Sequence, residues 1–241
     1  MLFRQLFDAE TSTYTYLLAD EGSREAVLID PVLEQLARDT ELLGELELKL
    51  VWAVDTHVHA DHVTALGSLR EKLGCKTAVS VRAGNACADS LLSTGDTVRF
   101  GKHFLKVRET PGHTNGCLTY VSDDETKVFT GDALLIRGCG RTDFQEGDAA
   151  TLWKSIHTQI FTLPETTSVY PGHDYKGRTV STVGEEKRHN PRLGGATTEA
   201  AFIEKMNALK LAPPKKIDIA VAANRECGMI AAPQDARVDH D

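Results

Sequence analysis

Apolar and polar positions alternate along this chain in a way that predicts an α/β protein. Short runs rich in Val, Ile, Leu and aromatic residues predict strands at 2–7, 14–19, 26–30, 48–54, 77–81, 97–100, 104–109, 118–122, 127–130 and 168–170. Apolar residues at helical spacing predict helices at 31–45, 61–73, 149–161, 180–188 and 197–209. The strands form two groups, each followed by helices, which predicts a four-layer α/β/β/α sandwich. Periodicity alone is equally compatible with other α/β arrangements.

Length predicts one principal domain. With 241 residues, the chain can bury a full core, and we expect this domain over residues 1–210. Residues 211–241 contain Pro-Pro, Lys-Lys and an acidic end, so they are expected to form a C-terminal tail whose order the sequence does not specify.

Charge and hydropathy exclude several function classes. The net charge of −8 argues against a general nucleic-acid-binding surface. No apolar stretch is long enough to cross a bilayer, and no N-terminal segment of this sequence has the basic start and apolar run of a signal peptide. A cytoplasmic location is therefore expected, although an organellar presequence removed before this numbering would leave no trace.

The most informative segment reads T-H-V-H-A-D-H at residues 56–62, directly after the buried strand at 48–54. His57 and His59 would point to the same side of an extended segment. Asp61 is expected to cap a following helix, with His62 in its first turn. Imidazole and carboxylate together suit Zn, Fe, Mn or Ni, so this segment predicts a metal site.

Three later segments repeat one arrangement, in which a short apolar strand ends at a metal-capable side chain. Pro-Gly turns place His113 and His173 after two such strands, and Gly131 precedes Asp132 after another. A single Pro-Gly-His is an ordinary turn as often as a metal site. Two of them, with Gly-Asp and H-x-H-x-D-H, favour one metal centre built from strand ends.

These motifs together resemble the metallo-β-lactamase superfamily over residues 12–190. The resemblance implies the four-layer sandwich, with a metal site between the two sheet edges. In dinuclear members, positions matching His57, His59 and His113 bind one metal. Positions matching Asp61, His62 and His173 bind the second, and the position matching Asp132 bridges the two.

The string G-D-A-L-L-I-R-G-C-G-R-T-D-F-Q from Gly131 closely resembles the persulfide dioxygenases, or sulfur dioxygenases, as do G-H-D-Y and N-P-R further on. This resemblance implies oxidation of glutathione persulfide by O₂ and water to sulfite and glutathione, on one Fe(II) per chain. The matching iron ligands are His57, His113 and Asp132. His59, Asp61, His62 and His173 would then hydrogen-bond to these ligands or to metal-bound water.

The chemistry of iron agrees with this interpretation. Two imidazoles and a carboxylate on one face of an octahedron leave three positions open, where a persulfide sulfur and O₂ can meet. Fe(II) can donate electrons to O₂, whereas Zn(II) cannot.

Two alternatives remain open. The complete ligand set also permits a dinuclear glyoxalase II-type thioesterase that hydrolyses S-acylglutathione, although the short segment after Asn190 weakens this hypothesis. A non-catalytic binding protein on the same fold is the more remote alternative. A homodimer is plausible from the family.

Secondary candidates are weaker. Arg141 is expected to hold a substrate carboxylate, and Tyr175 to contact ligand or substrate. Cys139 could modulate turnover, but packing between two glycines is the favoured interpretation. The other cysteines (Cys75, Cys87, Cys117 and Cys227) lack disulfide or zinc-ribbon spacing and are expected to be buried apolar residues. The histidines outside these motifs (His103, His157, His189 and His240) are expected to be ordinary surface or capping residues.

Overall fold

Two six-stranded sheets form the centre of the molecule. The computed structural model describes residues 1–84, 87–213 and 216–229. The first sheet has the order β1-β2-β3-β4-β5-β6. Its strands are β1 Leu2–Asp8, β2 Thr13–Ala19, β3 Glu25–Ile29, β4 Lys49–Val54, β5 Lys76–Ser80 and β6 Ser90–Leu92. Strands β1 to β3 are antiparallel, and β3 to β6 run parallel to one another.

The second sheet has the order β12-β11-β10-β9-β8-β7. Its strands are β7 Thr97–Phe100, β8 His103–Glu109, β9 Leu118–Ser122, β10 Lys127–Gly131, β11 Ser168–Pro171 and β12 Ser181–Thr182. Strands β10 and β11 are parallel, and the other neighbours are antiparallel. Chain segments leaving β8, β10 and β11 can therefore reach the same edge.

Helices cover the outer faces of the sheets. They are α1 Leu36–Glu45, α2 Leu66–Leu73, α3 Ala149–Ser155, α4 Val183–His189, α5 Glu199–Asn207 and α6 Ile217–Arg225. A 3-10 turn at Leu33–Gln35 precedes α1, and a π-helical turn at Ile156–Ile160 continues α3. Within the described residues, none of the helices has the length and apolar character needed to cross a membrane.

The core has three parts, which explains the four layers. Alternate residues of β2 face opposite ways: Tyr16 and Leu18 pack between the sheets with Phe129, while Leu17 packs with Leu69 of α2. On the far side, Leu152 of α3 belongs to a third cluster formed by helices and the second sheet. The predicted α/β/β/α sandwich is confirmed. The domain boundary predicted at residue 210 stays a prediction.

The predicted helix at 61–73 begins later, at Leu66. Distant partners take the backbone groups of the intervening residues. The Leu33 amide donates to Val63 O, and the Ala65 amide donates to Pro31 O. These bonds hold 63–65 outside a helix, so Asp61 does not cap one, and the expectation that it would is wrong. The end of the helix is confirmed, because Gly74 adopts the left-handed conformation with φ of 68°.

The C-terminal segment contains more structure than its composition indicates. Helix α6 lies within the predicted tail, whereas 214–215 and 230–241, including His240, lie outside the described residues. Strand β6 also occurs within 82–94, a segment without a strand pattern. The expectation that the scattered cysteines form no disulfide is wrong, since Cys87 and Cys227 are bonded across a separation of 140 residues.

Candidate metal centre

Four strand ends bring the metal-capable side chains together. His57 follows β4, His113 follows β8, Asp132 follows β10 and His173 follows β11. One ligand atom each from His57, His113 and Asp132 lies within 4.8 Å of the other two. A rigid pair of sheets thus presents two imidazoles and one carboxylate to a common point, which is the donor set of a 2-His-1-carboxylate iron site. These residues fit a single Fe(II).

A buried hydrogen-bond chain orients His57. The Thr56 hydroxyl donates to Asp30 Oδ2 at 2.8 Å and lies 2.9 Å from His57 Nδ1. Because the hydroxyl proton is used on Asp30, His57 Nδ1 must be the donor to Thr56 Oγ1. The other ring nitrogen, Nε2, is then left with a free lone pair for a metal. Burial, together with the neighbouring His59 and His113, holds the pKa of His57 well below its ordinary value.

Asp30 is a functional residue that sequence reasoning missed. It directly follows β3 and has a left-handed conformation with φ of 52°, which is unusual for a residue with a side chain. Its carboxylate also accepts the Thr56 amide at 2.6 Å and lies 3.2 Å from His59 Nε2. In the structure, the left-handed backbone distinguishes Asp30 from ordinary strand residues. The sequence around Asp30 contains no motif that would have indicated its role.

His113 is oriented by a main-chain carbonyl. Its Nδ1 donates to Arg141 O at 2.7 Å, so Nε2 is the nitrogen available to a metal, 3.7 Å from Asp132 Oδ2. Close packing explains two glycines in the motifs. A Cβ on Gly112 would overlap the backbone of Leu152, and a Cβ on Gly140 would lie 2.7 Å from His113 Nδ1. The G-C-G string therefore provides close approach to the histidine ring.

His173 supports Asp132 and has no free ring nitrogen in this arrangement. Its Nδ1 lies 2.7 Å from Asp132 Oδ1, and its Nε2 lies 2.9 Å from Asp61 Oδ2. Burial alone would lower the pKa of His173, but the carboxylates of Asp132 and Asp61 outweigh it and raise the pKa well above its ordinary value. His173 thus bridges two carboxylates and leaves Asp132 Oδ2 facing His57 and His113.

A second metal-capable group lies beside the triad of His57, His113 and Asp132. Ligand atoms of His59, Asp61 and His62 also lie within 4.8 Å of one another. His62 Nδ1 is 3.0 Å from Asp61 Oδ2. The remaining nitrogens, His59 Nδ1 and His62 Nε2, are buried and have no hydrogen-bond partner among the described residues. Such unpaired nitrogens are what a second cation would need.

Comparison with known proteins agrees with this geometry. A model of the metallo-beta-lactamase superfamily matches residues 9–173. "Persulfide dioxygenase ETHE1, mitochondrial" of Mus musculus is 55% identical over 234 residues, which cover 97% of this chain and 91% of that protein. The protein of the same name from Homo sapiens is 54% identical over 230 residues, covering 95% and 89%. The crystal structure of ETHE1 from Myxococcus xanthus matches with a TM-score of 0.92 at 55% identity, covering 95% of this chain and 100% of that one.

The chain belongs to the metallo-beta-lactamase superfamily, in its persulfide dioxygenase family.

As in many enzymes with small-molecule substrates, a cavity opens on the metal-capable residues of this superfamily member. It has a volume of about 700 Å³ and is lined by His57, His113 and Asp132 together with several basic side chains. That volume suits a small organic ligand. His57, His113 and Asp132 therefore line a space large enough for a small organic ligand.

The predicted substrate residues line this cavity in different ways. The Arg141 guanidinium makes a two-point ion pair with Asp143, at 2.6 and 2.7 Å, and also donates to Ala212 O. Its donors are therefore largely occupied. Tyr175 is 70% exposed and lies parallel to the His173 ring, with centroids 6.0 Å apart. This tyrosine can cover a ligand that approaches Asp132.

Two basic residues next to Tyr175 were not selected from the sequence. Among the described residues, the side chains of Lys176 and Arg178 make no hydrogen bond or ion pair, yet both line the cavity. Their backbone amides donate to Asp174 Oδ2, at 2.8 and 2.7 Å, which shapes the loop that presents them. The sequence signal that could have identified them is their position just after the G-H-D-Y motif.

Cys139 lines the cavity, and its thiol is largely buried. It is 4% exposed, and its Sγ lies 3.8 Å from Met206 Sδ and 3.8 Å from Arg192 Nη1. Burial raises the pKa of the thiol to about 11, against the opposing effect of Arg192. The packing role favoured by the sequence agrees with this environment.

Proposed function

We propose that this protein is an iron-dependent persulfide dioxygenase that converts glutathione persulfide, O₂ and water to sulfite and glutathione. The observation that carries the proposal is the donor set of His57, His113 and Asp132, with His173 engaged by carboxylates at both nitrogens. The relatives named persulfide dioxygenase support the same activity. One Fe(II) per chain is expected.

Fe(II), when bound, would supply open coordination positions and electrons for the reaction of a persulfide sulfur with O₂. The protein's own contribution is orientation. Asp30 and Thr56 select the His57 tautomer, the Arg141 carbonyl selects that of His113, and His173 turns one carboxylate oxygen of Asp132 towards the metal position. Such partners keep ligands in place and commonly matter tenfold or more for metal affinity or activity.

The cavity supports a low-molecular-weight persulfide as the substrate. Glutathione carries two carboxylates, and Lys176 and Arg178 offer two cations that have no other partner among the described residues. Arg141, the residue selected from the sequence, would have to share or release Asp143 to bind a carboxylate. We therefore expect Lys176 and Arg178 to contribute more to carrier recognition, with Tyr175 covering the ligand.

A dinuclear thioesterase is the second candidate, and the unpaired nitrogens of His59 and His62 favour it. Metal analysis of anaerobically purified protein, combined with an oxygen electrode, separates the two functions. About one iron per chain and O₂ uptake that requires glutathione persulfide are expected. Two zinc ions per chain, rapid hydrolysis of S-lactoylglutathione and no O₂ uptake would establish the thioesterase instead.

Location and assembly remain predictions. The cytoplasmic location expected from the sequence has no direct support, because the mouse and human relatives are named as mitochondrial. The homodimer suggested by family resemblance also stays a prediction.

A further inference from the structure

The C-terminal helix α6 contacts the loop of residues 55–65, between β4 and α2, which carries the T-H-V-H-A-D-H motif and is called the histidine loop below. Asn224, near the end of α6, is 1% exposed. Its Nδ2 donates to His59 O at 2.9 Å and to His62 O at 2.8 Å, and its Oδ1 accepts the Thr64 amide at 2.8 Å. One side chain thus fixes three backbone groups between His59 and Thr64, from a position 160 residues along the chain.

The backbone that follows α6 also packs closely against the backbone of 64–67. The Gly67 amide donates to Cys227 O at 2.8 Å. Gly228 has φ of 77°, and a Cβ there would overlap the Thr64 carbonyl. The segment after α6 is therefore shaped to lie against 64–67, and larger residues would push it away.

A disulfide holds this arrangement in place. Cys227 follows α6 and is bonded to Cys87, which follows β5, with the two Cα atoms 5.9 Å apart. Cys87 is only partly buried. Among the described residues, this disulfide is the only covalent link between the C-terminal segment and the part of the chain around the first sheet, and no strand pairing joins them. Opening the disulfide would leave the contact of Asn224 with the histidine loop to hydrogen bonds, packing and the ion pairs of Lys216 with Glu10 and Glu34.

We propose that Asn224 is a positioning residue for the loop carrying His57 and Asp61, and that the Cys87–Cys227 disulfide keeps it engaged, so that reduction weakens metal retention. The loop reaches the proposed iron site at His57 directly, and at Asp132 through the bonds from Asp61 to His173 and from His173 to Asp132. The proposal rests on the proposed metal centre, but not on which metal or substrate it uses.

The redox step needs only a low-molecular-weight thiol. Two thiol molecules supply two electrons and two protons. The bond between Cys87 Sγ and Cys227 Sγ breaks and each sulfur gains a proton, while the two small thiols join as a disulfide through a mixed-disulfide intermediate. The proposed reaction consumes a persulfide and releases such a thiol, so the reductant is of the same chemical class as the product.

The first test compares Asn224→Ala with Asn190→Ala. Asn190 is similarly buried, at 2% exposed, but its amide donates to Gly138 O and to Glu186 Oε2 instead of to the histidine loop. Amide hydrogen exchange of the metal-free protein should rise about tenfold at Thr64 in Asn224→Ala only. Transfer of iron to a chelator should accelerate to a similar extent, and kcat should fall with KM unchanged. Equal exchange and equal iron loss in the two variants would overturn the proposal.

Asn224→Asp separates positioning from simple support. A carboxylate still accepts the Thr64 amide but cannot donate to the carbonyls of His59 and His62. We expect protection of Thr64 to persist while iron is lost about as fast as in Asn224→Ala. Iron retention equal to that of the wild type would show that the two donated bonds do not position the loop.

The second test concerns the disulfide. Non-reducing peptide mapping should recover a Cys87–Cys227 peptide, and reduction of the wild-type protein should raise loop exchange and iron loss. Cys87→Ser should reproduce the reduced state without reductant, whereas Cys75→Ser, which removes a buried free thiol, should behave as wild type. Free thiols at both positions in protein purified without reductant, or unchanged exchange after complete reduction, would overturn this proposal. Because exchange is read without metal or substrate, this result is independent of the proposed activity.

Discussion

His173 Nδ1 lies 2.7 Å from Asp132 Oδ1, and this contact joins the Pro-Gly-His motif at 171–173 to the Gly-Asp motif at 131–132. A Pro-Gly-His turn that could supply a metal ligand instead supplies a hydrogen bond to one. A Cβ on Gly172 would lie 2.8 Å from the same oxygen, so the glycine before His173 is needed for the approach. The carboxylate is thereby held with its second oxygen towards His57 and His113.

Replacing a triad residue should remove the metal without unfolding the protein. We expect His57→Ala, His113→Ala and Asp132→Ala each to lose most bound iron, because two donors cannot retain Fe(II) against solvent and chelators. Metal analysis with circular dichroism measures both quantities. His157→Ala is the control, since this histidine stacks on Trp153 away from the triad and its loss should leave the iron content unchanged.

Replacing His173 should have a different effect. His173→Ala removes the partner of Asp132, so we expect iron to be retained at about one per chain while kcat falls about 10- to 100-fold. His62→Ala should likewise retain iron. If either variant loses metal as completely as His57→Ala, the centre has more than one metal and the mononuclear proposal is wrong.

The hydroxyl of Thr56 should matter more than its shape. Thr56→Val keeps the volume but removes the link between Asp30 and His57, so the buried carboxylate loses a donor and the His57 tautomer loses its acceptor. We expect about 1–3 kcal/mol lower stability of the metal-free protein and about tenfold weaker iron binding. Thr56→Ser, which restores the hydroxyl, should recover most of both; equal defects in the two variants would exclude the hydrogen-bond chain.

Cys139 should be chemically silent. Since burial raises the pKa of its thiol to about 11, only about one thiol in a thousand is ionised at pH 8, and the thiolate is the reactive form. Alkylation of the native protein by iodoacetamide, followed by mass spectrometry, should be slow and should accelerate about tenfold per pH unit up to that pKa. Cys139→Ser should retain turnover, whereas a large loss would show that the thiol takes part in the reaction.

Among the described residues, local patterns predicted ten of the twelve strands and the metal-capable residues, and the family resemblance supplied the four-layer arrangement. The ligand candidates could be found because each stands where a short apolar run meets a Pro-Gly, Gly-Asp or histidine motif, and those features lie within a few residues of one another. The prediction of a helix starting at Asp61 was wrong because it used only neighbouring residues. In the structure, the Leu33 amide and the Pro31 carbonyl are hydrogen-bonded to the backbone of 63–65.

By itself, the sequence determined where most strands lie along the chain, the α/β class of the fold and the chemistry available at the strand ends, since these follow from side-chain type and local periodicity. Only the tertiary structure decided that Asp30 orients His57 through Thr56, that His173 serves Asp132, and that Asn224 and the Cys87–Cys227 disulfide hold the histidine loop. Each of these depends on partners 26 to 165 residues apart, or on the direction in which a ring nitrogen points. These contacts are set by the packing of the two sheets and their helices, and they cannot be inferred from the residues next to each partner in the sequence.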